Sequence, residues 1–256
     1  MESSNLPKLY IIDHQEEFLY EWCAAEYCNI LSFLQNSDSK LVITNFGVCE
    51  NYNDPFNADF NKKMIEQVRN EAQKSKKNTL VTISKSLADC IDPATGCLTI
   101  EDRKIPAERV CLLDLRGTEV LAPKDKVEFE AFLFGGILGD HPPKDRTSSL
   151  RKLGFQMRNL DQKQMPTDTA LLATKLIIEH EYNFKDLPLI DGYEFFSPED
   201  KSKSVIMEGF RYISDVINPV TGERDTSKTV GKPIVSEVIS KRLMFEEFNM
   251  DELTPL

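Results

Sequence analysis

Short apolar runs alternate with longer amphipathic or polar stretches along most of the chain. Runs of this kind, bounded by polar residues or glycines, are typical of buried strands. The runs lie at residues 9–12, 41–44, 80–83, 110–113, 131–134 and 155–158. Because strands that alternate with helices form mainly parallel sheets, the pattern predicts an α/β fold with helices on both faces of the sheet.

Three other stretches have the spacing or the composition of helices. Residues 16–34 place apolar side chains on one face, residues 61–76 are charged with few apolar positions, and residues 170–179 suit a buried helix. Pro166 and Thr167 are residue types that start helices, so the last helix is expected to begin near them. Residues 84–108 are predicted to be irregular, with a turn at DPATG.

The character of the chain changes after Asn183. LPLIDGYEFF reads as a short β-like piece, DKSKS as a polar linker and MEGFRYI as a strand, and residues 233–248 have the spacing of an amphipathic helix. We therefore expect one domain at residues 8–183 and a C-terminal extension at residues 184–256 that packs on it.

Polar and glycine-containing loops follow several of the predicted strands. In parallel sheets, ligands bind beyond the carboxyl ends of the strands. Asp114, Arg116 and Gly117 follow one strand, FLFGGILGDHPPKDRT continues another, and residues 160–169 precede the buried helix. We expect these three loops to converge on one edge of the sheet.

The glycine-rich stretch allows a ligand to approach the backbone closely. Gly135, Gly136 and Gly139 have no Cβ atom, so a flat ligand can lie against exposed N–H and C=O groups. A strand followed by two glycines is equally compatible with a plain tight turn.

The formal net charge of −11 constrains the partner. Proteins that bind nucleic acids use lysine and arginine to displace counterions from phosphates. The acidic balance argues against RNA and favours a basic partner, such as an arginine-rich protein, although an acidic total can contain a local basic patch.

Cysteine usage and hydropathy favour a cytoplasmic protein. The six cysteines form no C-x-x-C pair and only three histidines are present, so we expect reduced thiols and no metal site. No apolar run approaches the ~20 residues needed to cross a bilayer. The N-terminal residues MESSNLPK lack the apolar region of a signal peptide.

Five segments together resemble the SPOUT class of S-adenosylmethionine-dependent methyltransferases, and within it the fungal branch that methylates an arginine of ribosomal protein S three. The segments are LYIIDHQEEF, RVCLLDLRGTEVLAPKD, FLFGGILGDHPPKDRT, LDQKQMPTDTALLATKLII and IDGYEFF. They occur in the order of the family and span residues 9–196. The resemblance implies a C-terminal trefoil knot. It also implies that the enzyme works as a monomer, because in this branch a C-terminal extension of this kind covers the surface of the knot.

The resemblance also implies which residues bind S-adenosylmethionine. In SPOUT enzymes the knot loops hold the cofactor in a bent conformation. By position in the motifs, the expected cofactor-binding residues are Leu113, Asp114, Arg116, Gly135, Gly136, Leu138, Gly139, Asp140, His141, Leu160, Gln164, Met165, Thr167 and Thr169. Simpler roles stay open for some of them: Met165 as a core residue, Thr167 as a helix cap, Arg116 as a surface charge and His141 as a loop residue.

An arginine acceptor requires carboxylates. The guanidinium stays cationic and carries five N–H donors, so carboxylates can grip it and point one nitrogen at the methyl group. Asp13, Glu16 and Glu17 after the first strand, and Asp114 and Asp140 near the cofactor, are the candidates. Asp13, Glu17 and Asp140 are the catalytic residues we expect, with His14 as an orienting group. Glu16 and Glu17 could equally serve only the dipole of a helix start.

Three functions follow as hypotheses. The first is a cytoplasmic enzyme that monomethylates an arginine of a small-subunit ribosomal protein. The second is a SPOUT methyltransferase that acts on ribosomal or transfer RNA and would need a basic, aromatic-rich face near the pocket. The third is a ribosome-associated binding module with no affinity for the cofactor.

Overall fold

The computed structural model describes residues 6–136, 145, 147–229 and 231–246. Six of its first eight strands lie in the six apolar runs predicted above, and the other two, β4 and β5, form a short hairpin. The strands are β1 Leu9–Asp13, β2 Lys40–Thr44, β3 Leu80–Thr82, β4 Leu98–Ile100, β5 Arg103–Ile105, β6 Val110–Leu113, β7 Ala131–Phe134 and β8 Gln156–Arg158. Within the described ranges, six of these form one sheet in the order β3-β2-β1-β7-β6-β8, and every neighbouring pair is parallel. The predicted parallel sheet is confirmed.

Helices connect the strands. The long ones are α1 Glu21–Phe33, α3 Ala58–Gln73 and α6 Thr167–Glu179; the short ones are α2 Gly47–Glu50, α4 Asp125–Glu128 and α5 Ser148–Arg151. The three long helices pack together on one face of the sheet. The other face is covered by the β4–β5 hairpin, the helical turn Ala88–Cys90 and α5.

Alternation along the strands explains how both faces are buried. In β1, Tyr10 and Ile12 pack toward the long helices, whereas Leu9 and Ile11 pack toward the hairpin. Successive side chains of a strand point to opposite faces, so a strand that is covered on both sides must be apolar throughout. Each such buried side chain stabilises the fold by roughly 1.5–3 kcal/mol.

The predicted start of the first helix at residue 16 is wrong. Helix α1 begins at Glu21, and Tyr20 before it is extended, with φ −62° and ψ 153°. The rings of Phe18 and Tyr20 lie 4.0 Å apart, and the backbone N–H of Leu19 donates to Asn61 Oδ1 at 2.8 Å. These contacts hold the segment before α1 out of the helix. Glu16 and Glu17 therefore do not lie in a first helical turn.

Residues 84–108 are more regular than expected. Strands β4 and β5 pair antiparallel, with Glu101 between them at φ 50°. Each strand has only three residues, which is too short for an alternation of polar and apolar positions to stand out.

The C-terminal extension adds two small antiparallel ladders. Its strands are β9 Leu189–Asp191, β10 Glu194–Phe196, β11 Ser204–Ile206 and β12 Arg211–Ile213. β9 pairs with β12 and β10 with β11. Ile213 and Ile217 join the core formed by the long helices, so the extension contacts the sheet domain through buried side chains.

Over the described residues, the predicted helix at residues 233–248 is confirmed only at residues 237–243. Pro233 forms an antiparallel bridge with Ser214, and regular helical structure is confined to a short segment that includes the π-type turn Ile239–Leu243. Proline lacks an N–H group and suits a strand edge better than a helix interior. The trefoil knot stays a prediction, because residues 137–144 after β7 lie outside the described ranges.

Candidate functional site

A cavity of about 570 Å³ lies beyond the carboxyl ends of β6 and β7. Its walls come from the three loops predicted to converge there, from α1, and from the C-terminal extension. Its volume is within the range of ~300–1,000 Å³ that is usual for small-molecule sites. The extension therefore contributes to the site itself.

Nine of the expected cofactor residues line this cavity. They are Leu113, Asp114, Arg116, Gly135, Gly136, Leu160, Gln164, Met165 and Thr167. Thr169 does not line it; its backbone N–H and its hydroxyl donate to Asp168 Oδ1 at 2.6 and 3.3 Å. Leu138, Gly139, Asp140 and His141 lie outside the described residues.

Asp114 organises the loop after β6. It accepts hydrogen bonds from Thr147 Oγ1 and Arg151 Nη1, both at 2.5 Å, and from the backbone N–H of Arg116 at 2.7 Å. Burial alone would raise the pKa of Asp114, but these three hydrogen bonds together lower it below its ordinary value. Asp114 is thus a charged residue with a cationic partner inside the chain.

Gly117 brings the first and third loops together. A Cβ atom at this position would lie 2.7 Å from the backbone carbon of Arg158, closer than van der Waals contact permits. Asn159 Nδ2 also donates to the Gly117 carbonyl at 2.7 Å. Only glycine permits this approach, which fixes the loop after β6 against the segment that leads to α6.

Two buried carboxylates lie side by side in the wall of the cavity. Glu26 is on α1 and Asp168 is in the first turn of α6. The backbone N–H of Asp168 donates to Glu26 Oε2 at 3.2 Å, and Trp22 Nε1 donates to Glu26 Oε1 at 2.9 Å. Asn29 Nδ2 donates to Asp168 Oδ2 at 2.7 Å. Hydrogen bonds thus fix both carboxylates in place.

Both carboxyl groups titrate far from their usual range. Burial, and next to it the charge of Asp168, raises the pKa of Glu26 well above its ordinary value. Burial raises the pKa of Asp168 to about 6. Among the residues the structure describes, neither group has a lysine or arginine as an ion-pair partner, so no positive charge opposes the effect of burial.

Aromatic side chains complete this part of the cavity. Trp22 and Tyr212 line it together with Glu26 and Asp168. The hydroxyl of Tyr212 is buried and has no hydrogen-bond partner among the described residues. Burial, followed by the charges of Asp168 and Glu26, raises the pKa of Tyr212.

Trp22, Glu26, Asp168 and Tyr212 are site residues that the sequence did not reveal. Trp22 lies within residues 16–34, whose apolar side chains were predicted to share one helix face, and Glu26 lies one turn further along that face. The signal that could have identified Glu26 was a carboxylate on an otherwise apolar helix face. Asp168 resembled an ordinary acidic residue in a helix start, and Tyr212 lies in a segment that carries no motif.

The predicted catalytic residues after β1 do not line the cavity. Asp13 Oδ1 accepts from Thr44 Oγ1 at 2.7 Å and from the backbone N–H of Leu87 at 3.2 Å. His14 is buried and its Nδ1 lies 2.9 Å from the hydroxyl of Tyr27. Glu17 is exposed. Asp140, the fourth predicted catalytic residue, lies outside the described residues.

Two other features bear on the class of site. Over residues 6–136, 145, 147–229 and 231–246, no group of three or more His, Cys, Asp or Glu side chains is arranged to hold a metal ion. The helices in these ranges include none with the length and apolar character of a membrane span.

Comparisons with known proteins agree with the fold. Residues 9–243 match the family described as protein arginine N-methyltransferase SFM1-like. The chain is 34% identical over 209 residues to protein arginine N-methyltransferase SFM1 of Saccharomyces cerevisiae, which covers 80% of this chain and 86% of that protein.

Solved structures of yeast SFM1 are similar along nearly the whole chain. The complex with S-adenosylmethionine (SAM) superposes with a TM-score of 0.66 at 31% identity and covers 93% of this chain and 90% of that one. The complex with S-adenosylhomocysteine (SAH) gives a TM-score of 0.64 at 32% identity and covers 90% and 92%. The chain belongs to the SFM1-like protein arginine N-methyltransferase family, as the resemblance of its motifs predicted.

Proposed function

We propose that this protein is an S-adenosylmethionine-dependent protein arginine N-methyltransferase. The observation that carries the proposal is one cavity in which the converging loops at the sheet edge meet a buried pair of carboxylates. The converging loops suit a nucleoside-containing cofactor, and the pair of carboxylates suits a cationic methyl acceptor. Family membership supports the same reaction.

The residues of the cavity fit the cofactor. Leu113, Leu160 and Met165 offer an apolar surface to an adenine ring, and the backbone of Gly135 and Gly136 is accessible beside it. Arg116 at the rim carries a charge that complements the carboxylate of the cofactor. Bound S-adenosylmethionine supplies a methyl group on a sulfonium, and its transfer to an arginine nitrogen releases SAH and one proton.

The chain itself contributes orientation and exclusion of water. Tyr212 and Ile239 of the extension line the cavity together with the loops of the sheet domain. Charged groups interact more strongly in such an enclosed site than in water, and holding two reactants in a fixed orientation lowers the barrier by several kcal/mol. Because one chain supplies all of these walls, we propose that the enzyme acts as a monomer.

The substrate we propose is a basic protein of the small ribosomal subunit, monomethylated on one arginine in the cytoplasm. The net charge of −11 supports a basic partner and disfavours RNA. The resemblance of the motifs to the fungal branch that modifies ribosomal protein S three supports the same substrate class.

Transfer of label from radioactive S-adenosylmethionine tests this function. The purified protein is incubated with an extract of Saccharomyces cerevisiae cells that lack SFM1, and the products are digested separately with protease and ribonuclease. We expect label as monomethylarginine in one small basic ribosomal protein. Label in RNA, or labelled protein with no methylarginine, would overturn the proposal.

A variant pair ties that activity to the cavity. Met165→Trp fills the cofactor part of the cavity and is expected to abolish both SAH binding and transfer. Val127→Trp adds the same bulk at an exposed position outside the cavity and is expected to change neither.

A further inference from the structure

We propose that Glu26 and Asp168, flanked by Trp22 and Tyr212, form the part of the cavity that binds the guanidinium of the substrate arginine. This inference rests on the proposed function and names the residues that recognise the acceptor. None of these four side chains was predicted from the sequence to bind the substrate arginine.

The distribution of buried charges is the first argument. Four acidic residues are buried in the described part of the chain: Asp114, Asp125, Glu26 and Asp168. Asp114 pairs with Arg151 at 2.5 Å, and Asp125 pairs with Arg158 at 3.1 Å. Among the described residues, Glu26 and Asp168 have only each other and neutral hydrogen-bond donors as partners. Buried carboxylates are ordinarily paired with cations, so this pair is suited to a cation that comes from a ligand.

The hydroxyl of Tyr212 is the second argument. It is buried at the cavity wall and has no hydrogen-bond partner within the described ranges. A buried polar group without a partner is unfavourable, and natural proteins rarely retain one without a reason. A guanidinium has five N–H donors and no acceptor, so it can donate to the phenol oxygen as well as to the carboxylates.

The aromatic rings in the cavity wall favour binding of a flat cation. Trp22 lies in the same wall and is held by its hydrogen bond to Glu26. Tyr212 is held by Phe195, whose ring meets it edge to face at 5.7 Å. Indole and phenol faces attract cations, and arginine stacks on them more readily than lysine does.

Preorganisation is the third argument. Glu26 is held by Trp22 and by the backbone of Asp168, and Asp168 is held by Asn29 and Thr169. Carboxylates fixed in this way can receive a planar guanidinium without losing side-chain entropy at the moment of binding. Two fixed carboxylates also select arginine over lysine, because the ammonium of lysine lacks the fork of parallel N–H donors.

The test exploits Trp22, the one tryptophan of the chain. Its fluorescence reports on the proposed site while the protein is saturated with SAH. The probes are Gly-Arg-Gly peptides with blocked ends and the same peptides with lysine or with uncharged citrulline in place of arginine. We expect a saturable change with arginine, a weaker one with lysine and none with citrulline. No response of the wild-type protein to the arginine peptide would overturn the inference.

Variants assign the response to the carboxylates. Asp168→Asn and Glu26→Gln should each weaken binding of the arginine peptide by about tenfold or more, because each removes one of the two acidic groups whose ionised form the desolvated cation requires. Glu66→Gln makes the same change from a carboxylic acid to an amide on an exposed face of α3 and should leave the affinity unchanged. Calorimetry of SAH binding, as a separate readout, should change by less than about twofold in all three variants.

Two results would contradict the inference while leaving the proposed function intact. One is peptide affinity that survives Asp168→Asn in an enzyme that still labels arginine. The other is a parallel loss of S-adenosylmethionine and SAH affinity, which would assign the carboxylates to the ammonium of the cofactor. Failure of the wild-type protein to label any protein arginine would instead count against the function.

Discussion

The backbone N–H of Asp168 donates to the carboxylate of Glu26 at 3.2 Å, although the two residues are 142 positions apart in the chain. This contact joins the start of α6 to the middle of α1. The start of α6 is also the end of the loop that lines the cofactor part of the cavity. The proposed arginine site and the proposed cofactor site are therefore connected through the backbone of two consecutive residues, Thr167 and Asp168.

Asp168→Asn is expected to stabilise the free protein at neutral pH by about 1–3 kcal/mol. Folding raises the pKa of Asp168 from 3.8 to about 6, so the folded state binds more protons than the unfolded state between these values. Stability from this group is therefore lost as the pH rises from about 4 to about 6. The neutral side chain of asparagine does not ionise, so this loss of stability does not occur in the variant. The amide of Asn29 can turn so that its oxygen accepts a hydrogen bond from the N–H of the new side chain. Thermal unfolding at pH 7.5 checks this.

Asp125→Asn is the matched control for that prediction. Asp125 is buried like Asp168 but is paired with Arg158 and accepts from the backbone N–H of Ala122 at 2.9 Å. The same substitution there removes the one fully buried carboxylate that pairs with Arg158 and leaves only the more exposed Glu128, at 3.0 Å, and Glu119, at 3.7 Å. It should destabilise the protein by about 1–3 kcal/mol. Equal effects of the two substitutions would contradict our account of the Glu26–Asp168 pair.

Binding of the arginine peptide should strengthen as the pH rises through about 6. The cation requires ionised carboxylates, and Asp168, with a pKa of about 6, is mostly protonated at pH 5 and mostly ionised at pH 7. That difference alone predicts about a tenfold change of affinity between the two pH values, and the raised pKa of Glu26 extends the rise to higher pH. Fluorescence titrations across this range measure it. In Asp168→Asn the step near pH 6 should disappear, and an affinity that falls with rising pH would contradict the proposed site.

Tyr212→Phe separates recognition from stability. The hydroxyl has no hydrogen bond to lose within the described structure, so the free energy of unfolding should stay within about 1 kcal/mol of wild type or rise. The arginine peptide loses one acceptor in the bound state, and we expect its affinity to fall by about five- to tenfold. Denaturant unfolding and peptide titration are the two measurements. A marked loss of stability with unchanged affinity would indicate that the hydroxyl serves only the fold.

The sequence predicted the proposed cofactor part of the cavity better than the proposed acceptor part, and the reason is physical. Residues such as Leu113, Gly135 and Leu160 lie directly at strand ends or next to them, and all strand ends of a parallel sheet lie at one edge. Their convergence follows from topology. The meeting of Glu26 with Asp168 depends instead on how α1 packs against α6, which no local pattern encodes.

At the first strand, the sequence indicated the position of the residue along the chain but not the partners of its side chain. Asp13 has the expected position at the carboxyl end of β1, but its carboxylate is engaged by Thr44 on the neighbouring strand and by the N–H of Leu87. Position along the chain identified the edge correctly, whereas the direction and partners of the side chain depend on the neighbouring strand. In the extension, the β-like segments predicted at residues 187–196 and 207–213 contain β9, β10 and β12, whereas β11 and the pairing of these strands were not predicted.

Arg211→Met is expected to weaken cofactor binding from a distance. Arg211 in β12 pairs with Asp161 and with Asp191, each at 2.7 Å, and its backbone N–H donates to the carbonyl of Gln164 at 2.9 Å. The extension thereby holds the loop whose residues Leu160, Gln164 and Met165 line the cavity. Losing both ion pairs should lower stability by about 1–3 kcal/mol and weaken SAH binding severalfold.

Arg69→Met is the control for this linkage. Arg69 also has an ion pair of 2.7 Å, with Glu50, but its side chain is 51% exposed and far less enclosed than that of Arg211, which is 12% exposed. Exposed pairs contribute about 0–1 kcal/mol, so both stability and SAH affinity should stay near wild type. Calorimetry of SAH binding and thermal unfolding measure the two effects side by side. If Arg211→Met lowers stability but leaves SAH affinity unchanged, the extension stabilises the fold without positioning the cofactor loop.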